Sequence, residues 1–452
     1  MTYRRFLVLS LFALPAALPS AATHSGPVEV LLARGRTEPT VAISPLRPGV
    51  VVASANTNYS APVDGTFPTA YFYSADGGRS FNAGTMPMIP PFTTGADTSV
   101  VVARDGTVFY SYLGEAPAFC GGGGAAVVLS HSIDNGKSYR RPVAVDINPD
   151  DDKPNLAVES IRGKASHIFV TWTRWHDASK TSDVWISRSL DGGVTFSRPA
   201  RLWSSRLANF GTVPVVGPRG RIYVFWSVSP NEEQVGPSPT GLFAVVSGDD
   251  GAHFGRRFAV TRTFRSVPDI VKPGNLRVLT MPSVVLDGRG TLYVAWAQVE
   301  RVRSGGAVDA DIVLSRSVDG GRSWSTPRRV NDARNGARFM PSVVLLAGGS
   351  LAVVFYDQRR GGMVLDTYAA RARFGSRFRA YPNLRLDSGT SPVVDMMYVA
   401  PGSTCLAPGR FFGDYIGAVA MGRDLGAVWA DTQLHQPDET DVWFARVTLP
   451  GS

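Results

Sequence analysis

Cysteine is scarce in this sequence, since only Cys120 and Cys405 occur among 452 residues. Neither has a metal-ligand partner at close spacing, so we expect no zinc site, and nothing indicates another metal or a cofactor. Blocks of lysine and arginine are also missing, although the formal net charge is +9. A nucleic-acid partner is therefore not expected, because proteins of that class carry a concentrated basic patch.

Long apolar runs are absent after the N-terminus. Residues 1–22 contain two arginines, an apolar run over residues 6–18 and small residues around Ala22, a pattern typical of a signal peptide. That run is too short to span a bilayer, and no later stretch reaches about 18 uninterrupted apolar residues. We therefore expect cleavage near Ala22 and a secreted or periplasmic monomer without membrane insertion. Residues 23–452 are expected to form a single domain.

Glycine and proline are abundant, with 47 and 32 copies spread along the chain, which favours many short strands joined by tight turns. One pattern, Ser-x-Asp-x-Gly-x-x-aromatic, occurs five times, for example within "SRSVDGGRSW". Its aspartates are separated by 58, 57, 58 and 70 residues and are Asp76, Asp134, Asp191, Asp249 and Asp319. This spacing indicates a structural repeat of about 60 residues.

The repeat also contains recurring apolar runs, rich in valine, isoleucine and aromatic residues and bounded by glycine or aspartate. Such runs predict β-strands, and a four-stranded unit at this period predicts an all-β propeller. We expect seven blades, with six as the alternative if one unit is irregular. The seven units begin near Glu38, Asp97, Asp152, Asn209, Thr280, Arg338 and Phe411. Residues 27–33 would then supply the missing strand of the last unit and close the ring without an open edge.

The repeated motif is explained by turn chemistry. Aspartate accepts hydrogen bonds from nearby backbone N–H groups, glycine supplies a positive φ, and the aromatic residue packs between neighbouring sheets. This pattern is the Asp box, or bacterial neuraminidase repeat, and the chain resembles the sialidase-like superfamily over nearly all of its mature length. The resemblance implies a propeller whose Asp boxes lie on the face opposite the ligand site.

On that opposite face, residues that open the first strands, together with the loops between second and third strands, form a polar ring. The ring can bind a sugar acid or perform acid–base chemistry, or it can simply be a solvated rim that ends the strands. Cys120 and Cys405 fall in loops on this face, where we expect a disulfide, with two free thiols as the alternative. The candidate substrate-binding residues are Arg36, Glu38, Arg277, Arg338 and Arg359.

Sialidases of this superfamily use a tyrosine nucleophile, an aspartate acid/base and three arginines that hold the substrate carboxylate. The resemblance therefore implies catalytic roles for Tyr415, Asp97 and the neighbouring Asp414. The family's Arg-Ile-Pro signature is not retained, because residues 36–39 read Arg-Thr-Glu-Pro, and no glutamate clearly partners Tyr415. We interpret the chain as a secreted, sialidase-like exo-glycosidase acting on terminal, acidic sugars of extracellular glycans. The alternative is a non-catalytic propeller that binds carbohydrate or protein.

Overall fold

Seven four-stranded antiparallel sheets form the blades of a β-propeller. The computed structural model describes residues 27–56, 67–116, 125–161, 163–176, 178–230, 236–393, 410–434 and 440–451. The predicted signal peptide, Cys120 and Cys405 lie outside these residues, so the signal peptide and the disulfide stay predictions. No helix within the described ranges is long and apolar enough to cross a membrane.

The strands follow the repeat read from the sequence. Blade one contains β2 (Thr40–Ile43), β3 (Val51–Ala55), β4 (Ala70–Ser74) and β5 (Asn82–Thr85). Blade two contains β6 (Thr94–Val102), β7 (Val108–Glu115), β8 (Ala125–Ser132) and β9 (Val143–Ile147). Blade three contains β10 (Asp151–Glu159), β11 (His167–His176), β12 (Thr181–Ser189) and β13 (Ala200–Trp203). Blade four contains β14 (Ala208–Val216), β15 (Ile222–Ser229), β16 (Pro239–Ser247) and β17 (Phe258–Arg265).

A two-stranded hairpin follows blade four and consists of β18 (Ile270–Val271) and β19 (Leu276–Arg277). Blades five and six contain β20 (Ser283–Leu286), β21 (Leu292–Val302), β22 (Val308–Ser317) and β23 (Arg328–Arg329); and β24 (Arg338–Leu345), β25 (Leu351–Asp357), β26 (Asp366–Phe374) and β27 (Phe378–Ala380), with β28 (Leu384–Arg385) beside β26. Blade seven contains β29 (Gly417–Met421), β30 (Asp424–Asp431), β31 (Asp441–Val447) and the N-terminal β1 (Val28–Arg34).

The N-terminal strand closes the ring. β1 pairs antiparallel with β31, from Val28 opposite Arg446 to Arg34 opposite Asp441. The last blade therefore takes its outermost strand from the start of the chain, and its edge at β31 is covered. This confirms the predicted closure and the count of seven blades rather than six.

The hydrophobic core lies between neighbouring blades. Four tryptophans occupy equivalent places in the second strands of blades three, four, five and seven, each at most 1% exposed, namely Trp172, Trp226, Trp296 and Trp429. Trp296 in blade five, for instance, belongs to one buried cluster with Phe225 and Leu242 of blade four. The tryptophan in the second strand of these blades thus fills the space between two sheets, which stabilises the stacking of blades around the ring.

The five repeated turns share one hydrogen-bond pattern. In the turn of blade five, the backbone N–H of Ser323 donates to Asp319 Oδ1 at 2.9 Å and its hydroxyl donates to Oδ2 at 2.5 Å. Ser317 donates to the same aspartate at 2.8 Å and accepts from the N–H of Gly321. These bonds, led by that from the Ser323 side chain, hold the pKa of Asp319 at about 2. The carboxylate therefore fixes the turn in place of a backbone partner.

Each turn also presses a glycine against the preceding blade. A Cβ added to Gly321, whose φ is 92°, would lie 2.5 Å from the ring of Phe258 in blade four. A Cβ on Gly78 would lie 2.3 Å from the ring of Phe444, which joins blade one to blade seven. Only glycine gives the backbone both this close approach and this φ, so the motif fastens adjacent blades together.

The repeated turns and the starts of the first strands lie at opposite ends of the blades. The third strand of a blade runs parallel to the first, so a turn that follows the third strand lies where the first strand ends. In agreement, the N–H of Gly77 in the first turn donates to the carbonyl of Gly49, in the loop after β2, at 2.9 Å. The first strands of successive blades contact one another around the ring and surround its centre. A central site at their beginnings is therefore remote from the turns.

Candidate active site

The first strands of most blades begin with a residue in the left-handed conformation. The φ values are 53° for Glu38, 50° for Asp97, 51° for Lys153, 66° for Gly211 and 52° for Met340. In blades two, three, four and six, the register of pairing between the first and second strands shifts near this position, as at a β-bulge. Left-handed non-glycine residues are uncommon, and bulges of this kind redirect a side chain toward a functional site. Here the redirected side chains of blades one to three meet in one charged cluster.

Lys153 lies at the centre of that cluster. Its ammonium Nζ is 2.7 Å from Asp414 Oδ2, 3.1 Å from Asp97 Oδ1 and 3.7 Å from Glu38 Oε1. Arg277 adds a second cation, with Nη2 3.2 Å from Asp414 Oδ2. Three nearly buried carboxylates from three blades are thus held by one ammonium group and one guanidinium group.

Glu38 connects the cluster to the segment before β29. One carboxylate oxygen accepts a hydrogen bond from the backbone N–H of Asp414 at 2.9 Å, and the other accepts from the side chain of Asn56. Burial raises the pKa of Glu38 above its ordinary value, although Lys153 opposes the rise. Glu38 is therefore a base that takes up a proton more readily than an exposed glutamate.

Asp97 and its neighbour Asp152 also have displaced pKa values. Burial raises the pKa of Asp97, partly offset by Lys153, and it raises the pKa of Asp152 to about 7. The indole N–H of Trp175 donates to Asp152 at 2.8 Å. Burial alone would lower the pKa of Lys153, but the carboxylates led by Asp414 outweigh it and hold that pKa well above its ordinary value. A permanent cation beside carboxyl groups whose pKa values are raised is a common feature of catalytic sites.

Tyr415 lies immediately after Asp414 and faces the same cavity. Its hydroxyl donates to the carbonyl of Thr98 at 3.2 Å. Burial, followed by the negative charges of Glu38 and Asp97, raises the pKa of Tyr415 well above its ordinary value. The phenol is therefore neutral near pH 7, and a base has to remove its proton before the oxygen can act as a nucleophile.

The cavity at the centre of the ring has a volume of about 200 Å³. Asp97, Lys153, Asp414 and Tyr415 contribute to its wall, and the remainder is formed largely by proline, methionine and small hydroxyl or amide side chains of the first strands. Residues at or near the first strands of blades one to six all line the cavity. The segment before β29 of blade seven completes the wall. Such a concave site with a few converging polar groups suits a small ligand.

Arg277 reaches the cluster because the hairpin of β18 and β19 packs against the segment before β29. Its backbone N–H donates to the carbonyl of Arg410 at 2.9 Å, and its guanidinium lies 4.8 Å from the ring centre of Phe411. The side chain remains 42% exposed while it contacts Asp414. Arg277 is therefore the predicted substrate-binding arginine that the structure brings to the cluster with solvent access.

The other predicted arginines are engaged elsewhere. Arg36 donates to the backbone carbonyls of Asn56 at 2.7 Å and of Pro68 at 3.3 Å. Arg338 is fully buried and pairs with Asp357 at 2.9 Å, because the two residues are opposite each other in β24 and β25.

Arg359 contacts the same Asp357 at 2.7 Å and also pairs with Asp332. The structure thus places Arg338 and Arg359 in an ion-pair network of blade six and not in the wall of the cavity. The two guanidinium groups share this carboxylate, and Arg338 also donates to three backbone carbonyls.

The sequence places Lys153 in the polar ring of residues that open the first strands but assigns it no catalytic or substrate-binding role, although the structure makes it central. The signal was available, since Lys153 follows Asp97 by 56 residues, close to the repeat length, and both open a first strand. The sequence does not identify a glutamate that partners Tyr415. The structure places Glu38, which the sequence predicts as a substrate-binding residue, in the cluster beside it. Its proximity depends on the contact with the Asp414 backbone, between residues far apart in the chain.

No family model matches the chain, and no curated protein matches it. Among solved structures, it is similar to the GH93 α-L-arabinofuranosidase of Fusarium graminearum with arabinobiose, with 11% identity, a TM-score of 0.50, and coverage of 77% of this chain and 98% of that one. The Hadza microbial sialidase Hz136 matches with 12% identity, a TM-score of 0.47, and coverage of 88% and 76%. The similarity to the arabinofuranosidase concerns the β-propeller fold. The resemblance to the sialidase-like superfamily implies the same fold.

Proposed function

We propose that this protein is a secreted glycoside hydrolase that releases terminal sugars from extracellular glycans at the central cavity. The observation that carries the proposal is the placement of Asp97, which is buried, faces the cavity and has a raised pKa. A general acid needs these properties, because it must stay protonated until the leaving group departs. The similarity of the fold to that of a glycosidase supports the proposal without specifying the sugar.

The cluster supplies the parts of a double-displacement reaction. Asp97 donates its proton to the leaving-group oxygen while Tyr415 attacks the anomeric carbon and Glu38 accepts the phenolic proton. Water then attacks the anomeric carbon while Asp97 removes its proton, the bond between that carbon and the tyrosine oxygen breaks, and the phenolic oxygen recovers a proton from Glu38. Lys153 keeps Asp97 and Glu38 in position and compensates their charge as protons move.

The charges favour a neutral terminal sugar over a sugar acid. Substrate carboxylates are commonly held by bidentate guanidinium groups. Of the four predicted arginines, Arg277 alone reaches the cluster, where it already contacts Asp414, and Arg36 faces backbone carbonyls. The carboxylates that surround Lys153 would repel a further negative charge. We therefore expect neutral glycosides to be better substrates than sialosides.

A non-catalytic sugar-binding propeller is the second candidate. The ion pairs of the cluster favour this candidate. Asp97 and Asp414 both contact Lys153, and in a non-catalytic propeller these contacts would serve only to shape the cavity. The absence of the Arg-Ile-Pro signature at residues 36–39 points in the same direction.

The test is turnover by the mature protein on a panel of fluorogenic neutral glycosides and sialosides. We expect Asp97→Asn and Tyr415→Phe each to lower kcat by about 10²–10⁴-fold. The matched controls are Asp150→Asn and Tyr73→Phe, since Asp150 is exposed and Tyr73 lies in a third strand away from the cavity lining. Glycan binding without turnover on any substrate would favour the second candidate, and the absence of both would refute a glycan function for the cavity.

A further inference from the structure

A second group of ionisable side chains lies on the face that carries the repeated turns. Glu159 ends β10, His167 begins β11 and Asp250 lies in the turn after β16. One ligand atom from each residue lies within 4.8 Å of the others. Six residues of extended strand, at about 3.3 Å each, separate Glu159 from Lys153, which places this group roughly 20 Å from the central cluster.

Two elements of the fold bring the three side chains together. Glu159 and His167 are paired opposite each other in the antiparallel hairpin of blade three. Asp250 belongs to blade four, and its φ of 56° is unusual for a residue other than glycine. The next residue, Gly251, packs on Phe169 of blade three, so the docking of the turn carries Asp250 to the hairpin.

Two polar atoms of the group are buried without a well-aligned hydrogen bond. They are His167 Nδ1 and Glu159 Oε2. These atoms pair with each other at 3.5 Å, and His167 Nδ1 is 3.9 Å from Asp250 Oδ1. Buried polar atoms are almost always satisfied in folded proteins, and a cation bound between these three side chains would satisfy both atoms.

Gly220 has no side chain, which leaves the space beside the carboxylates of Glu159 and Asp250 unfilled. Gly220 has a φ of 67°, and a Cβ added there would lie 3.0 Å from Glu159 Oε1 and 3.3 Å from Asp250 Oδ1. Any larger residue would crowd the carboxylates. The three side chains and this glycine form a partly open cradle, since Asp250 is 47% exposed whereas His167 is 14% exposed.

We propose that Glu159, His167 and Asp250 bind a divalent cation, Zn²⁺, that ties blade three to blade four. One imidazole nitrogen and two carboxylate oxygens form a ligand set that Zn²⁺ accepts, with a fourth position left for water. Bonds of about 2.0–2.2 Å would require the three ligand atoms, which lie within 4.8 Å of one another, to move closer together. The role is structural, because the cradle is remote from the central cavity.

The experiment is titration of the untagged, EDTA-treated protein with ZnCl₂, followed by calorimetry and thermal unfolding. We expect one Zn²⁺ per chain and a higher Tm. His167→Ala should weaken binding by at least about 10–100-fold, the loss typical of removing even an outer-shell group. His176→Ala is the matched control, because His176 ends the strand that His167 begins and is 44% exposed. That variant should bind as the parent does.

Glu159→Gln provides a second test, since it keeps the size of the side chain and should also weaken binding if His167→Ala proves unstable. The replacement of Zn²⁺ by Co²⁺ gives an independent readout through the visible absorption of a four-coordinate ion, which should disappear in both variants. Failure of the parent protein to bind Zn²⁺, or binding that survives both substitutions, would overturn the proposal. Loss of binding in His176→Ala would assign the cation to surface histidines instead. None of these outcomes depends on glycosidase activity.

Discussion

Replacement of Lys153 by methionine removes the ammonium group but keeps the length of the side chain. The three carboxylates at 2.7, 3.1 and 3.7 Å lose their common cation. Asp414 retains Arg277, whereas Asp97 has no other cation within 4.0 Å in the described part of the chain. Removing one partner of a buried ion pair costs about 3–5 kcal/mol, so we expect the free energy of unfolding at pH 7 to fall by about that amount.

The pH dependence of the lost unfolding free energy distinguishes the missing ammonium group from a packing defect. Burial already raises the pKa of Glu38 and Asp97, and removal of the ammonium raises both further. A carboxyl group whose pKa is raised in the folded state favours folding once it is protonated, and this gain is complete below its unfolded pKa of about 4. The difference between Lys153→Met and the parent should therefore shrink as the pH falls from 7 toward 5.

Urea unfolding at pH 7 and pH 5 measures both effects. Lys137→Met is the matched control, since Lys137 is exposed in the turn of blade two, and we expect its change to stay within about 0.5 kcal/mol. A loss below about 1 kcal/mol in Lys153→Met at pH 7, or an equal loss at both pH values, would show that the ammonium does not stabilise the carboxylates.

Two further substitutions test how blades are joined. Gly321→Ala should destabilise the fold by about 1–3 kcal/mol in urea unfolding, because its Cβ would meet the ring of Phe258 at 2.5 Å. Gly348→Ala has a similar φ with nothing within 4 Å and should cost less; equal losses would contradict the packing argument. Tyr356→Phe removes a buried hydroxyl that donates to the carbonyl of Ala430 at 2.6 Å and accepts from its N–H, so we expect about 1–3 kcal/mol by the same assay. A loss of only a few tenths would show that water replaces the hydroxyl.

The fold was predictable because its decisive signals are local. Within a repeated turn the serine, the aspartate and the closing hydroxyl lie within seven residues, so their hydrogen bonds need no distant partner. The spacing of the five aspartates then gives the length of the repeat, and the recurring apolar runs give the number of units and show which unit is short of a strand. Residues 27–33 filled that gap as expected, with β1 paired to β31.

The site was predictable only in part. The sequence placed Glu38, Asp97, Arg277 and the segment of Asp414 on one face because strand direction alternates regularly within a blade. It did not indicate Lys153 as the shared partner, since that depends on the left-handed backbone at the start of the first strands of blades one to three.

The sequence by itself determined the architecture of this protein, whereas the tertiary structure decided which charges meet. Arg338 and Arg277 both precede a first strand in the sequence. Only the packing shows that one pairs with Asp357 inside its blade and that the other reaches Asp414 at the cavity. The physical reason is that turn and strand preferences act over a few residues, while the partner of a buried charge is chosen among side chains from separate blades.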